Sequence, residues 1–466
     1  MTLREVADVV GGTLVDVVDE QARVTAPVTA DSRQVTPGGV FAAFVGEQAD
    51  GHGFAADAFA AGAVAVLASR PVGGPAVVVD DVLGALGRWA RALLDRLPQL
   101  TVIGVTGSAG KTTAKDLLAA LLERLGPTIA PPGSLNNELG LPLTVLRADE
   151  QTRWLVLEMG ARGKGHLTYL CDVAPPRIGV ELLVGQAHVG EFGSADAIAE
   201  AKAELVAALP EDGLAVLNGD DPRVRAMAAA TPAPVLLFGQ ADDAEVRASD
   251  VHSDSRGRAR FRLHAGGESA DVALRLVGEH HVTNALAAAA VAWRCGLAVT
   301  DVAQVLSTTE ARSRWRMEVT ERPDGLVVIN DAYNASPEAT RAALKSLVSI
   351  ADGRRTWAVL GEMRELGDLS TSEHDAIGRL AVRLDVSRLV VVGEGAKAMH
   401  LGAALEGSYG DESVHVADVD EAIELLLAQV HPDDVVLVKA SRAVGLERVA
   451  AALLAAVPVA TGGDAA

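Results

Sequence analysis

TVIGVTGSAGKTTAKDLLAALLERL, residues 101–125, is the stretch whose reading decides the fold. TVIGV is short, apolar and β-branched, which suits a buried parallel strand. TTAKDLLAALLERL reads as a helix that ends at Gly126-Pro127. Between them lies Gly107-Ser108-Ala109-Gly110-Lys111-Thr112-Thr113. A glycine-rich turn between a strand and a helix presents backbone N–H groups and a helix N-terminus to phosphate oxygens. Lys111 would neutralise terminal phosphates, and the Thr112 hydroxyl would take Mg²⁺. Val105 stands where the common form of this loop has its first glycine, and the glycines fall at 104, 107 and 110.

The same strand–loop–helix texture continues through WLVLE (154–158), RIGV (177–180) and LAVLN (214–218). Segment 240–275 alternates polar and apolar residues and reads as antiparallel ribbons. LVVIND, TWAVLG, RLVVVG and DVVLVKA then mark a second α/β unit, and the first hundred residues mix short strands and helices. The expected architecture is therefore α/β in three domains, 1–98, 99–311 and 312–466, with a phosphate-loop parallel sheet in the middle and a doubly wound, Rossmann-like unit at the end.

Composition limits the classes. The chain has 466 residues, 49% of them hydrophobic and 22% charged, with a formal net charge of −21. Such a charge argues against general nucleic-acid or anionic-membrane binding. Cys171 and Cys295 have no CxxC spacing, so neither a disulfide framework nor a thiolate metal site is expected. MTLREVADVV lacks the pattern of a signal peptide. No apolar run reaches the roughly 20 residues of a membrane span; the longest, Ala285–Trp293, reads as a buried helix. A cytoplasmic, monomeric enzyme is expected.

Lysine is scarce: Lys111, Lys115, Lys164, Lys202, Lys345, Lys397 and Lys439 are all there are. Lys202 falls on the apolar stripe Ile198, Leu205, Val206, Leu209 of a helix expected over 195–209. A lysine there either snorkels to water or is held desolvated with a reactive amine. A neutral amine can add CO₂, and the carbamate so formed is an anionic metal ligand. Glu158 at a strand end and His188 in a loop complete a mixed donor set for a hard divalent ion.

Longer motifs run the full length. They include Asp31-Ser32-Arg33 with Pro37-Gly38, Asp50-Gly51-His52, GSAGKTT, Asn136-Asn137-Glu138 with Gly140 and Pro142, and Glu158-Met159-Gly160-Ala161. Then come His188 with Phe192-Gly193-Ser194, Ala201-Lys202, Gly278-Glu279-His280-His281 with Asn284, Arg316, Asp331-Ala332-Tyr333-Asn334 and Lys439-Ala440-Ser441-Arg442. On these the chain resembles the Mur ligase family, within it the branch that adds D-alanyl-D-alanine to UDP-MurNAc-tripeptide. The resemblance implies an ATP-dependent amide ligase that works through an acyl phosphate. It implies that Gly107 to Thr113, Asn137, Asn284, Arg316 and Asp331 serve ATP. It implies two Mg²⁺ ions, held through Thr112 and through Glu158, His188 and carbamylated Lys202, the latter three with Lys111 forming the catalytic group. Ser32, Arg33, Asp50, His52, Asn334, Lys439, Ser441 and Arg442 are implied as substrate contacts. Two positions depart from the family: His281 stands where asparagine is usual, and Ala440 where glycine is frequent.

Three other readings compete. The ligase that adds the third amino acid usually shows a DNPR-like segment, and none occurs here. A folylpolyglutamate synthase would not need the DSR and DGH segments. A catalytically dead ATP-binding paralogue would have lost Lys111, Glu158, His188 or Lys202, and all four are present. Ser336-Pro337 reads as a helix start with no ligand.

Overall fold

The structure, a computed structural model, describes residues 1–46, 49–185, 189–254, 256–407 and 412–456. Among the described residues the strands form three sheets. The first holds β1 (Thr13–Val15), β2 (Val28–Thr29), β3 (Val40–Ala42), β4 (Ala65–Ala68) and β5 (Ala76–Val78), in the order β1-β5-β4-β3-β2. Only β1 runs antiparallel to its neighbour.

The central sheet contains β6 (Thr101–Thr106), β7 (Thr128–Ile129), β8 (Trp154–Glu158), β9 (Ile178–Glu181), β10 (Leu214–Asn218) and β11 (Val235–Gly239). It continues into β12 (Val246–Ser253), β13 (Arg258–Ala265) and β14 (Glu268–Val277), and its order is β14-β13-β12-β11-β10-β9-β6-β8-β7. The pairs from β7 to β12 are parallel and β12–β14 are antiparallel, the expected ribbon. The parallel strands are buried on both faces, as their continuous apolar runs require. The expected alanine-rich helix is His281–Arg294, and Ala285–Ala292 is buried along its whole length. Small side chains let it lie close to both the sheet and helix Lys111–Leu122.

The third sheet holds β15 (Glu318–Glu321), β16 (Val327–Asn330), β17 (Thr356–Gly361), β18 (Arg388–Val392), β19 (Ser413–Val416) and β20 (Val435–Lys439), ordered β15-β16-β20-β17-β18-β19. All pairs but β15–β16 are parallel. Ser336 caps helix Pro337–Ala351 by accepting from Ala339 N at 3.3 Å, as its sequence suggested. No helix among the described residues is long and apolar enough to cross a membrane.

Strand order positions the site. β6 lies between β8 and β9, so Val105 pairs with Glu158 on one side and Thr106 with Glu181 on the other. The phosphate loop therefore leaves the sheet between two carboxylates, beyond the carboxyl ends of the strands, where open α/β sheets bind ligands.

Candidate active site

Helix Lys111–Leu122 starts at Gly110, whose φ of +83° is left-handed. A Cβ there would lie 2.2 Å from Asn284 Oδ1, so both conformation and space demand glycine. Ser108 Oγ accepts from Gly185 N at 2.9 Å, and Ser108 N donates to Leu183 O at 2.9 Å, which ties the loop to the segment after β9. Lys111 Nζ donates to Gly107 O at 2.8 Å, curled over its own loop. Burial lowers the affinity of this ammonium for its proton, Glu158 and Glu181 oppose that, and Arg316 adds to it.

Glu158, the last residue of β8, is 1% exposed and fully bonded. Its carboxylate accepts from Thr112 Oγ1 (2.9 Å), Ser134 Oγ (2.6 Å) and Asn136 Nδ2 (2.7 Å). Buried Lys115 fixes the loop that carries Ser134 by donating to Pro131 O (2.6 Å) and Gly133 O (3.0 Å). Asn137, expected at the nucleotide, has its Oδ1 on Gly140 N at 2.9 Å, while adjacent Asn136 faces Glu158.

Lys202, in helix Ala195–Ala207, does not snorkel: it is 5% exposed, alongside buried Ile198, Leu205 and Val206. Burial makes its amine easier to deprotonate, Lys111 acts in the same direction, and Glu181 acts against both. Glu181 is a residue that the sequence reading missed. It is 0% exposed, and neither carboxylate oxygen has a hydrogen-bond partner among the described residues. Burial raises its proton affinity against the pull of Lys202 and Lys111. The signal was available: Glu181 follows RIGV as Glu158 ends WLVLE. His188 lies outside the described residues.

The C-terminal unit supplies a cation across the cleft. Arg316 Nη2 donates to Thr112 Oγ1 at 3.0 Å, and its guanidinium lies 4.1 Å from the centroid of the Tyr333 ring. Its neighbours Trp315 and Met317 both adopt left-handed backbone, φ +59° and +49°. Such strain costs on the order of 1 kcal/mol per residue and persists only where the surroundings hold it. Here Met317 N donates to Asp331 Oδ1 (3.1 Å), and Arg442 stacks over Trp315 at 4.3 Å. Lys439 Nζ lies 2.5 Å from Asp331 Oδ2 and donates to Asn334 O at 2.9 Å. Ser441 Oγ accepts from Arg364 N at 3.0 Å, and Arg442 also pairs with Glu447 at 2.6 Å. Ser313 Oγ donates to Asp116 Oδ2 (2.6 Å) and Arg312 pairs with Glu123 (2.7 Å), clamping the connecting segment to the phosphate-loop helix.

Asn284 is 3% exposed, with Nδ2 3.2 Å from His281 Nδ1. His281 Nε2 is buried without a partner among the described residues, and burial, with His280 and Arg316, holds this imidazole neutral. In the N-terminal unit Asp31 caps the turn Ser32–Gln34, and exposed Arg33 folds back onto it at 2.9 Å. His52 Nε2 accepts from Ser69 N (3.1 Å), so Nδ1 carries the proton and donates to Asp50 Oδ1 (2.6 Å). Arg70 pairs with Asp50 at 2.6 Å, and its bond, ahead of that from His52, keeps this carboxyl ionised far into acid.

No cluster of three His, Cys, Asp or Glu residues able to hold a metal forms among the described residues. Thr112 and Glu158 meet as hard oxygen donors of the kind that suits Mg²⁺, and the carboxylate of Glu181, on the other side of β6, takes no hydrogen bond from the described residues.

A phosphate loop facing a cationic arm of a second α/β sheet defines a nucleotide-using enzyme. Comparison with known proteins agrees. Residues 105–292 match the Mur ligase middle domain, 315–442 the Mur ligase glutamate ligase domain, and 26–91 the catalytic domain of the Mur ligase family. The UDP-N-acetylmuramoyl-tripeptide–D-alanyl-D-alanine ligase of Mycobacterium tuberculosis (strain ATCC 25618 / H37Rv) is 51% identical over 498 residues, covering 98% of each chain. A crystal structure of MurF from Acinetobacter baumannii has a TM-score of 0.84 at 31% identity, covering 97% of this chain and 98% of its own. MurF ligase from Thermotoga maritima in complex with ADP has a TM-score of 0.78 at 31% identity, covering 92% and 97%. The chain belongs to the Mur ligase family, and it is a ligase.

Proposed function

We propose that the protein joins D-alanyl-D-alanine to UDP-MurNAc-tripeptide with cleavage of ATP to ADP and phosphate, giving UDP-MurNAc-pentapeptide for peptidoglycan synthesis. The full-length 51% identity to a ligase of that name supports the substrates, and the ADP complex of the Thermotoga relative supports the nucleotide. The observation that carries the chemistry is the meeting of Lys111, Thr112 and Arg316 at the mouth of the phosphate loop. The terminal carboxylate of the tripeptide attacks the γ-phosphorus, the bond to ADP breaks, and an acyl phosphate forms. The amine of the dipeptide then attacks the acyl carbon, phosphate leaves and an amide remains.

Two anions must meet in the first step. Lys111 is free to leave Gly107 O for the phosphates, and Arg316 to leave Thr112 Oγ1, so the loop and the C-terminal unit each supply one positive charge to the transferring group. Thr112 and, at a second site, Glu158, His188 and carbamylated Lys202 would hold Mg²⁺, which offsets phosphate charge when bound. Asn284 and Asp331 flank the nucleotide cleft. Ser32, Arg33, Asp50 and His52 face the UDP-sugar in this reading, and Asn334, Lys439, Ser441 and Arg442 the peptide. Residues 1–98, 99–311 and 312–466 act as three domains, and closure of the last keeps water from the acyl phosphate. The enzyme works as a cytoplasmic monomer.

The test is phosphate release from purified protein with ATP, Mg²⁺ and UDP-MurNAc-tripeptide, with and without D-alanyl-D-alanine. Release that needs both substrates, with a product heavier by the dipeptide less water, is expected. Release with a single amino acid and the UDP-MurNAc-dipeptide instead would assign the third-residue reaction.

A further inference from the structure

We propose that Lys115 and Asp116 are positioning residues, which pass the placement of the segment entering the C-terminal unit to the loop around Glu158. The inference rests on the ligase reading above in one respect, that Glu158 has a share in holding Mg²⁺.

Segment 312–316 lies along the phosphate-loop helix Lys111–Leu122. Arg316 meets Thr112, Ser313 meets Asp116, and Arg312 meets Glu123 just beyond the helix end. The buried Ser313 hydroxyl donates to Asp116 Oδ2 at 2.6 Å. The other oxygen of that carboxylate, Oδ1, lies 2.8 Å from Lys115 Nζ. Lys115 is 0% exposed, and its Nζ also donates to Pro131 O (2.6 Å) and Gly133 O (3.0 Å). An ammonium has three N–H donors, and here three oxygens take them. The residue after Gly133 is Ser134, whose Oγ donates to Glu158 Oε1 at 2.6 Å, and Asn136 Nδ2 reaches the same oxygen at 2.7 Å. A run of hydrogen bonds, interrupted only by the chain from Gly133 to Ser134, thus joins Ser313 to Glu158.

Burying an ammonium costs more than burying an apolar side chain of the same size unless each donor is matched. The match at Lys115 joins three segments that are far apart in the chain, and packing alone would need none of these bonds. Asp116 spends one oxygen on each neighbour, so a shift of Ser313 bears on Lys115, and Lys115 grips the loop by two carbonyls. The same segment reaches the other oxygen of Glu158 as well. Arg316 bonds to Thr112, whose hydroxyl donates to Glu158 Oε2 at 2.9 Å. When the C-terminal unit moves, the donors on both carboxylate oxygens move with it, and Glu158 is tied back or released to a metal accordingly.

The experiment is amide hydrogen exchange of the full-length protein, read by mass spectrometry over residues 131–136. It compares the wild type, Ser313→Ala, Asp116→Ala, the double variant and Arg312→Ala. Ser313→Ala should speed exchange there about tenfold, the effect of one hydrogen bond to a charged group. Asp116→Ala should do at least as much, and the double variant no more than Asp116→Ala alone. Arg312→Ala breaks an exposed pair outside the run and should change exchange less than about twofold. Unchanged exchange in Ser313→Ala, additive effects in the double variant, or an equal effect of Arg312→Ala would each overturn the inference. The Ser313 and Arg312 variants alone decide it if Asp116→Ala does not fold. In phosphate release, Ser313→Ala should raise the Mg²⁺ concentration for half-maximal rate about tenfold; a requirement equal to that of the wild type would also overturn the inference. Wild-type protein that forms no pentapeptide breaks the ligase reading, and the exchange data still decide the run from Ser313 to the loop. Pentapeptide with uncoupled exchange does the reverse.

Discussion

Glu158 and Glu181 occupy matching places on either side of the phosphate-loop strand, yet their surroundings are opposite. Glu158 takes three hydrogen bonds, from Thr112, Ser134 and Asn136. Glu181 takes none from the described residues. One carboxylate belongs to a finished polar network and the other is held in reserve. The hydrogen bonds of the first offset the cost of its burial; a buried carboxyl without them raises the energy of the fold and is tolerated where function supplies its partner.

The comparison can be broken in several ways. The largest effect is expected at the loop between the two carboxylates. Lys111→Ala should lower turnover by about 10³-fold while melting changes little, because its one bond is to its own loop. Phosphate release and thermal unfolding, measured together, check this; a collapse of the fold would refute the assignment. Next, Arg316→Ala should cost about 10²-fold in turnover. ADP affinity measured by calorimetry in the same variant separates loss of nucleotide from loss of transition-state charge.

The two carboxylates themselves should answer in opposite directions. Glu158→Leu leaves Thr112, Ser134 and Asn136 without their acceptor and should destabilise by about 3 kcal/mol. Glu181→Leu removes a buried carboxyl group that takes no hydrogen bond from the described residues and should stabilise by about 2 kcal/mol. Denaturant unfolding of both variants decides the matter, and a loss of similar size in each would mean that Glu181 is already satisfied.

The smallest effect concerns His281. Burial holds its imidazole well below the ordinary 6.5. The unfolded chain therefore binds a proton that the folded chain refuses, so stability is full above that ordinary value and falls as pH drops below it. His281→Asn should flatten the acid limb of a profile of unfolding free energy against pH, by about 1 kcal/mol over the first pH unit below that value. An unchanged profile would show that other groups set the acid limit.

Much of this was legible in the residues. The loop, its flanking strand and helix, the antiparallel ribbon and the alanine-rich buried helix follow from local pattern. Glu158 was found because it closes an apolar run, whereas Glu181 was missed because RIGV was read as ending at 180, one residue short. Lys202 could be placed on an apolar stripe but not told apart from a snorkelling lysine, since what covers that stripe comes from β6 and β9, other parts of the chain. Asn136 and Asn137 are neighbours of one type; only the path of the loop held by Lys115 decides which of them meets Glu158.

The residues alone settle the local elements, the glycine-rich turn over 107–110, the negative net charge and the chemical groups on offer. Those depend on interactions within a few residues along the chain. The tertiary structure alone decided that β6 runs between β8 and β9, that Arg316 reaches Thr112 from another sheet, and that one of two matching carboxylates is bonded while the other is bare. Strand order and cross-cleft contacts join residues tens to hundreds of positions apart. Their energies appear only after the chain has closed on itself.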